Sequence, residues 1–200
     1  MNKCWYRLKI NTKNFLRDDW LWPNNAKEFK IGQEGHPEIL LRDDALQFLE
    51  SLDLKVNDIM LFSRPPHFRD LSAHIDIKGN GTKVFKNING EFTVKFALNF
   101  VRGGKGSKMC WYDNPPGLTN IFYTPAGTPY VSRLIENLTL IDECEIDSTL
   151  TLTRVDQMHS VVVADETRLS ISLRTSNDVI NTWDDAVNYM RSKDLLIERD

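Results

Sequence analysis

His74-Ile75-Asp76 stands inside an alternating stretch, Ala73-His74-Ile75-Asp76-Ile77. Residues two apart on a strand point to the same face. The imidazole and the carboxylate therefore project side by side and can take adjacent positions on a metal. A second histidine, His159, opens another alternating stretch, His159-Ser160-Val161-Val162-Val163, after the polar turn Asp156-Gln157-Met158. Two imidazoles and one carboxylate on one face of an ion leave three positions open, the arrangement of non-haem Fe(II) sites that use oxygen. Arg168-Leu169-Ser170 follows, with Arg168 and Ser170 on one face. A keto acid chelating the metal would fill two open positions and leave a far carboxylate in need of an anchor. The planar guanidinium fork of Arg168 suits a carboxylate, and the Ser170 hydroxyl adds a further donor.

Taken together, His74-x-Asp76, His159 and Arg168-x-Ser170 resemble the Fe(II)/2-oxoglutarate-dependent oxygenase superfamily. Leu61-Phe62-Ser63-Arg64-Pro65-Pro66, leading into the His-x-Asp strand, and Ala97-Leu98-Asn99-Phe100 on the next one are similar in character. The resemblance runs roughly from Val56 to Arg174. It implies a double-stranded β-helix, a jelly-roll or cupin-like barrel, with Fe(II) held by His74, Asp76 and His159. It further implies 2-oxoglutarate held by Arg168 and Ser170, with Arg174 as the alternative anchor and Asn99 touching the cosubstrate. The activity implied is hydroxylation of a C–H bond in a small molecule or a protein side chain, consuming O2 and releasing succinate and CO2. Desaturation is a variation of the same chemistry, and halogenation is disfavoured because it generally needs the carboxylate ligand to be missing. The long stretch from Asp76 to His159 does not fix a subfamily.

These residues need strands to carry them. Trp5–Ile10 alternates and reads as a strand, and Asp43–Leu52 has apolar residues at helical spacing with acids at its head. The pattern then changes to period two: Ile59–Phe62, Ala73–Ile77 and Phe92–Phe100, the last entered through an Asn89-Gly90 hairpin turn. Further strands are expected at Lys108–Tyr112, Ile121–Tyr123, Leu138–Ile141, Ser148–Val155, His159–Val163 and Arg168–Arg174, and an amphipathic helix at Asp184–Leu196. The expected fold is mainly β with flanking helices (α+β), in one domain. Its barrel core spans about 56–175, with an N-terminal strand-and-helix extension over 1–55 and a C-terminal helix over 180–197.

Around the site, Arg64, His67 and Arg69 precede the metal strand, and Arg64, His67 and Trp111 are candidates for contact with substrate. Trp111, Tyr112, Phe122 and Tyr123 could offer an aromatic platform, although such residues are more often core. Arg102 to Lys108 reads as a basic lid or a solvated hairpin tip, and Asp142 to Asp147 as an exposed acidic face. Trp20 and Trp22 are candidates to plug one end of the barrel.

The chain has 200 residues and a formal net charge of -3. That gives no general attraction to nucleic acid or to an anionic membrane. No apolar run approaches the roughly 18 residues of a membrane span. Three scattered cysteines and no secretory core at the N-terminus point to a cytoplasmic protein. Two other classes stay open. A cupin-type metal enzyme without a keto acid would have no use for Arg168 and Ser170, and a non-catalytic jelly-roll module would have no use for the metal set.

Overall fold

A computed structural model describes residues 3–18, 28–31, 37–77, 79–80, 83–84, 94–114, 121–123, 129–177 and 179–198. In chain order the elements are β1 (Trp5–Asn11), β2 (Glu28–Ile31), α1 (Asp43–Ser51), β3 (Lys55–Arg64), β4 (Ser72–Asp76), β5 (Gly79–Asn80) and β6 (Lys83–Val84). There follow β7 (Phe96–Gly103), β8 (Lys108–Tyr112), β9 (Ile121–Tyr123), β10 (Pro129–Leu134), β11 (Leu140–Glu145) and β12 (Thr149–Arg154). The chain closes with β13 (His159–Val162), β14 (Arg168–Ser176), α2 (Trp183–Ser192) and β15 (Leu196–Ile197). Among the described residues the fold is mainly β with two α-helices, as the alternation of the sequence requires. The Asn89-Gly90 turn, Trp20 and Trp22 lie outside the described residues.

The long strands form two antiparallel sheets. One is seven-stranded, in the order β15-β1-β12-β7-β14-β3-β2, and the other six-stranded, in the order β11-β8-β13-β4-β10-β9. The chain pairs with itself from both ends inward: β3 with β14, β4 with β13, β7 with β12, β8 with β11. These pairs fall alternately in the first and second sheet, so a long antiparallel double strand winds between them. Strands β9 and β10 leave the bend of this double strand and extend the second sheet beyond β4.

The main apolar core lies on the outer side of the larger sheet. Ile171 and Leu173 of β14, Phe96, Leu98 and Phe100 of β7, and Leu150 and Leu152 of β12 pack there with Leu49 of α1 and Trp183, Val187 and Met190 of α2. Burying such side chains contributes roughly 1.5–3 kcal/mol each relative to exposure. The alternate residues of the same strands are polar: Arg168, Ser170, Ser172, Asn99, Thr151 and Thr153, all buried. A sheet whose outer face is sealed by helices is free to keep a polar inner face, and that face carries the chemistry.

Helix α2 begins at a capping box. Thr182 Oγ1 accepts from the Asp185 amide at 3.1 Å, and Asp185 Oδ2 accepts from the Thr182 amide at 2.9 Å. Thr182→Ala is expected to cost about 1 kcal/mol, read as a lower urea midpoint with an unchanged slope; an unmoved midpoint would show that the cap adds nothing. The helix is shorter than Asp184–Leu196. It ends at Ser192, the chain reverses through Asp194 at φ 55°, and Leu196 and Ile197 pair with β1 instead. Burying Leu196 in the core outweighs one more helical turn.

Other boundaries also differ from the sequence reading. The acidic stretch is half strand: Asp142 accepts from the Cys4 amide at 2.8 Å, and Glu143 pairs with Lys108. The basic segment after β7 is a pinned hairpin. Arg102 donates to the Thr12 carbonyl at 2.7 Å and lies over the Phe100 ring, which removes it from any lid. Cys4, Cys110 and Cys144 are buried free thiols. No helix among the described residues is long and apolar enough to cross a membrane.

Candidate metal centre

Strands β4 and β13 are neighbours, and their register sets His74 directly opposite His159. The two rings stand 4.2 Å apart between centroids at 54°. Asp76, two residues along β4, shares the face. One ligand atom from each of His74, Asp76 and His159 lies within 4.8 Å of the others, so this group could hold a metal ion.

The surroundings prepare each donor. His159 Nδ1 contacts the Gln157 carbonyl at 2.9 Å. A carbonyl only accepts, so Nδ1 carries the proton and Nε2 keeps its lone pair for a metal. Burial, reinforced by the proximity of His159, lowers the His74 imidazole to about 3, despite Asp76 nearby. At neutral pH His74 is therefore an unprotonated donor. Burial alone would raise the Asp76 carboxyl, but the Arg174 guanidinium and the two imidazoles bring it below the ordinary range. Arg174 forms an ion pair and a hydrogen bond with Asp76 Oδ2. Arg174 thus sits on the carboxylate of the candidate metal site.

The triad opens into a cavity of about 340 Å³ between the sheets. Its walls include Arg64, Asn99, Arg168, Ser170 and Arg174 together with the triad itself, so five strands, β3, β4, β7, β13 and β14, converge on it. Arg168 is 3% exposed, and its guanidinium makes no hydrogen bond or ion pair among the described residues; Nε in particular is buried without an acceptor. Burial, with Arg64 close by, lowers Arg168 to about 10, so it is still a cation at neutral pH. A buried cation facing a cavity without a partner is a costly arrangement unless an anion completes it.

Asn99 adds a second unmatched group. Its Nδ2 donates to Thr153 Oγ1 at 2.8 Å, while Thr153 spends its own proton on the Ala97 carbonyl at 3.1 Å. The amide orientation follows from this, and Asn99 Oδ1 is left buried with no donor.

The turn after β7 holds Arg168 in place. Gly104 has φ +64°, and a Cβ there would lie 2.6 Å from the Arg168 Cβ. Gly104→Ala must therefore displace the start of β14 or the turn. Affinity for an anion at Arg168 is expected to fall about tenfold or more, with affinity for a metal at the triad unchanged; equal losses of both would mean that the fold as a whole was damaged.

Two of the proposed substrate contacts are placed elsewhere. Trp111 is fully buried and does not line the cavity. It stands beside His159 as its cross-strand partner and donates from Nε1 to the Arg154 carbonyl at 2.7 Å, a wall behind the ligand. His67 is on an exposed turn, 3.6 Å from Asp165. Its φ of 60° turns the chain between β3 and β4. Arg64 does line the cavity, with its guanidinium over the Phe62 and Phe68 rings.

Sequence reasoning missed Asp70, Tyr130 and Ser132, which also face the cavity. Asp70 Oδ2 accepts from the Val161 amide at 2.8 Å, tying the β3–β4 connection to the histidine strand. Tyr130 and Ser132 share a face of β10, whose Tyr-Val-Ser-Arg-Leu sequence alternates too weakly to have signalled it. No protein-family model, curated protein or solved structure matches this chain.

Proposed function

We propose that the protein is an Fe(II)- and 2-oxoglutarate-dependent oxygenase that hydroxylates a C–H bond of an organic substrate. The observation that carries this reading is the buried, partnerless Arg168 in the same cavity as His74, Asp76 and His159. A metal enzyme without a keto acid has no use for that cation. The double strand wound between two sheets supports the reading too, because it is how a double-stranded β-helix is built.

His74, Asp76 and His159 would hold Fe(II), and Arg168 with Ser170 would hold the distal carboxylate of 2-oxoglutarate. When bound, these groups supply the oxidising chemistry: one oxygen atom of O2 ends in succinate, the other in the hydroxylated product, and CO2 leaves. The chain's own part is to place and to insulate. Gln157 keeps His159 in the metal-binding tautomer, and Arg174 orients the Asp76 carboxylate. Arg168 supplies charge already stripped of water, so the bidentate contact with a carboxylate meets no competing solvent. The apolar layers behind the sheets keep bulk water from the cavity walls.

The test is an anaerobic titration with Fe(II) and then 2-oxoglutarate, followed by visible absorption. A weak charge-transfer band that saturates at a single equivalent is expected, and succinate release then serves as the substrate screen. Iron binding with no band would overturn the keto-acid assignment and leave a metal enzyme of another kind. Failure to bind iron would leave a ligand-binding barrel.

A further inference from the structure

Two buried atoms are left over in the cavity once Arg168 is given to the cosubstrate. Asn99 Oδ1 and Arg174 Nη1, on residues that line it, are enclosed without a hydrogen-bond partner among the described residues. One is an acceptor and the other a donor. The Asn99 amide is held in this orientation, because Thr153 Oγ1 spends its proton on the Ala97 carbonyl and can only accept from Asn99 Nδ2. Fully ionised 2-oxoglutarate has no donor to offer, so it does not satisfy the Asn99 oxygen.

The two atoms belong to neighbouring side chains. Ser172 of β14 is the cross-strand partner of Asn99, and Arg174 stands two residues further along β14 on the same face. Asn99 and Arg174 are therefore diagonal neighbours, a spacing that a long side chain spans. Both end in planar groups. Burying either atom unmatched is costly, so a ligand that matches both is favoured over one that matches a single atom. A carboxylate would leave the Asn99 oxygen without a donor, and an ammonium would leave Arg174 Nη1 without an acceptor. A primary carboxamide supplies both from one planar edge, its N–H beside its carbonyl.

Resting on the proposed oxygenase reading for its role, we infer that the substrate carries a primary carboxamide. Its N–H lies on Asn99 Oδ1 and its carbonyl on Arg174 Nη1. Because Arg174 is bound to Asp76, the amide is placed beside the triad, and oxidation falls on a carbon close to it.

The probes are butanamide, methyl butanoate and butanoate, with binding followed by calorimetry on the metal-free protein and on the anaerobic Fe(II)/2-oxoglutarate complex. The ester and the acid keep a carbonyl and lack the donor. Butanamide is expected to bind about tenfold more tightly than either. On the metal-free protein Asn99→Leu should erase that preference, and Arg174→Met should weaken amide and ester alike. Thr153→Val frees the Asn99 amide to turn, and should narrow the gap between butanamide and butanoate. No preference in the wild type, or a preference that survives Asn99→Leu, overturns the inference. The charge-transfer band of the same complex reports the oxygenase reading separately. With the band present, exclusion of butanamide from the complex also overturns the inference, since the two atoms would then belong to the cosubstrate's site. With the band absent, a preference that Asn99→Leu erases upholds the carboxamide site without the oxygenase reading. No band and no binding end both.

Discussion

His159→Ala is expected to abolish specific Fe(II) binding, and with it turnover, while the fold survives. Losing an outer partner of a metal ligand typically costs about 10–100-fold in affinity. Losing one of only three protein donors costs more, on the order of 1,000-fold, because the two that remain no longer enclose one face of the ion. The fold should persist because β13 is held by its backbone: Ser160, Val161 and Val162 keep their register with β8, and the Val161 amide its bond to Asp70. Competition for Fe(II) against a coloured chelator measures the affinity, and far-ultraviolet dichroism checks the fold. Affinity within tenfold of the wild type would sink the triad as the metal site. Arg174→Gln gives the graded control. It loosens Asp76 without removing a ligand, so a loss of about 10–100-fold is expected.

Arg168→Met should do two opposite things. Affinity for 2-oxoglutarate should fall by about 30- to 5,000-fold, since removing one partner of a buried charge pair costs roughly 2–5 kcal/mol. The ligand-free protein should become more stable, because the variant no longer buries a cation whose Nε has no acceptor. The sign follows from the direction of the shift. Burial lowers Arg168 from its ordinary value to about 10, so above about pH 10 the unfolded chain binds more protons and stability rises with pH. At neutral pH the folded protein bears the whole penalty, and 2-oxoglutarate relieves it. Thermal melts with and without the ligand separate the two effects: the wild type should be raised by 2-oxoglutarate and the variant should not. A variant less stable than the ligand-free wild type would show that Arg168 supports the fold.

Much of the site was legible in the chain. Period two alone puts His74 with Asp76, and Arg168 with Ser170, on common faces, because the direction of side chains along a strand is a local property. The same alternation anticipated β8 and β9 at their observed bounds and most other strands to within a few residues. What misled were choices settled by packing. Trp111 has the composition of a platform, but its register beside His159 puts it in the wall. Arg102 looked like part of a mobile basic loop, yet Thr12, ninety positions away, holds it. Residues 193–196 had helical character, yet pairing with β1 claims Leu196. The cavity-facing Tyr130 and Ser132 depend on β10, whose six residues carry too weak an alternation to stand out.

The choice between Arg168 and Arg174 shows where the boundary lies. Both point inward from β14 by the same period, and nothing local distinguishes them. Register across the sheets sends Arg174 to Asp76 and leaves Arg168 buried without a partner. By itself the sequence determined which residues share a face, because that depends on neighbours along one strand. Only the tertiary structure decided which faces meet and which charge is left unmatched, because strand register and loss of water are properties of segments brought together from across the chain.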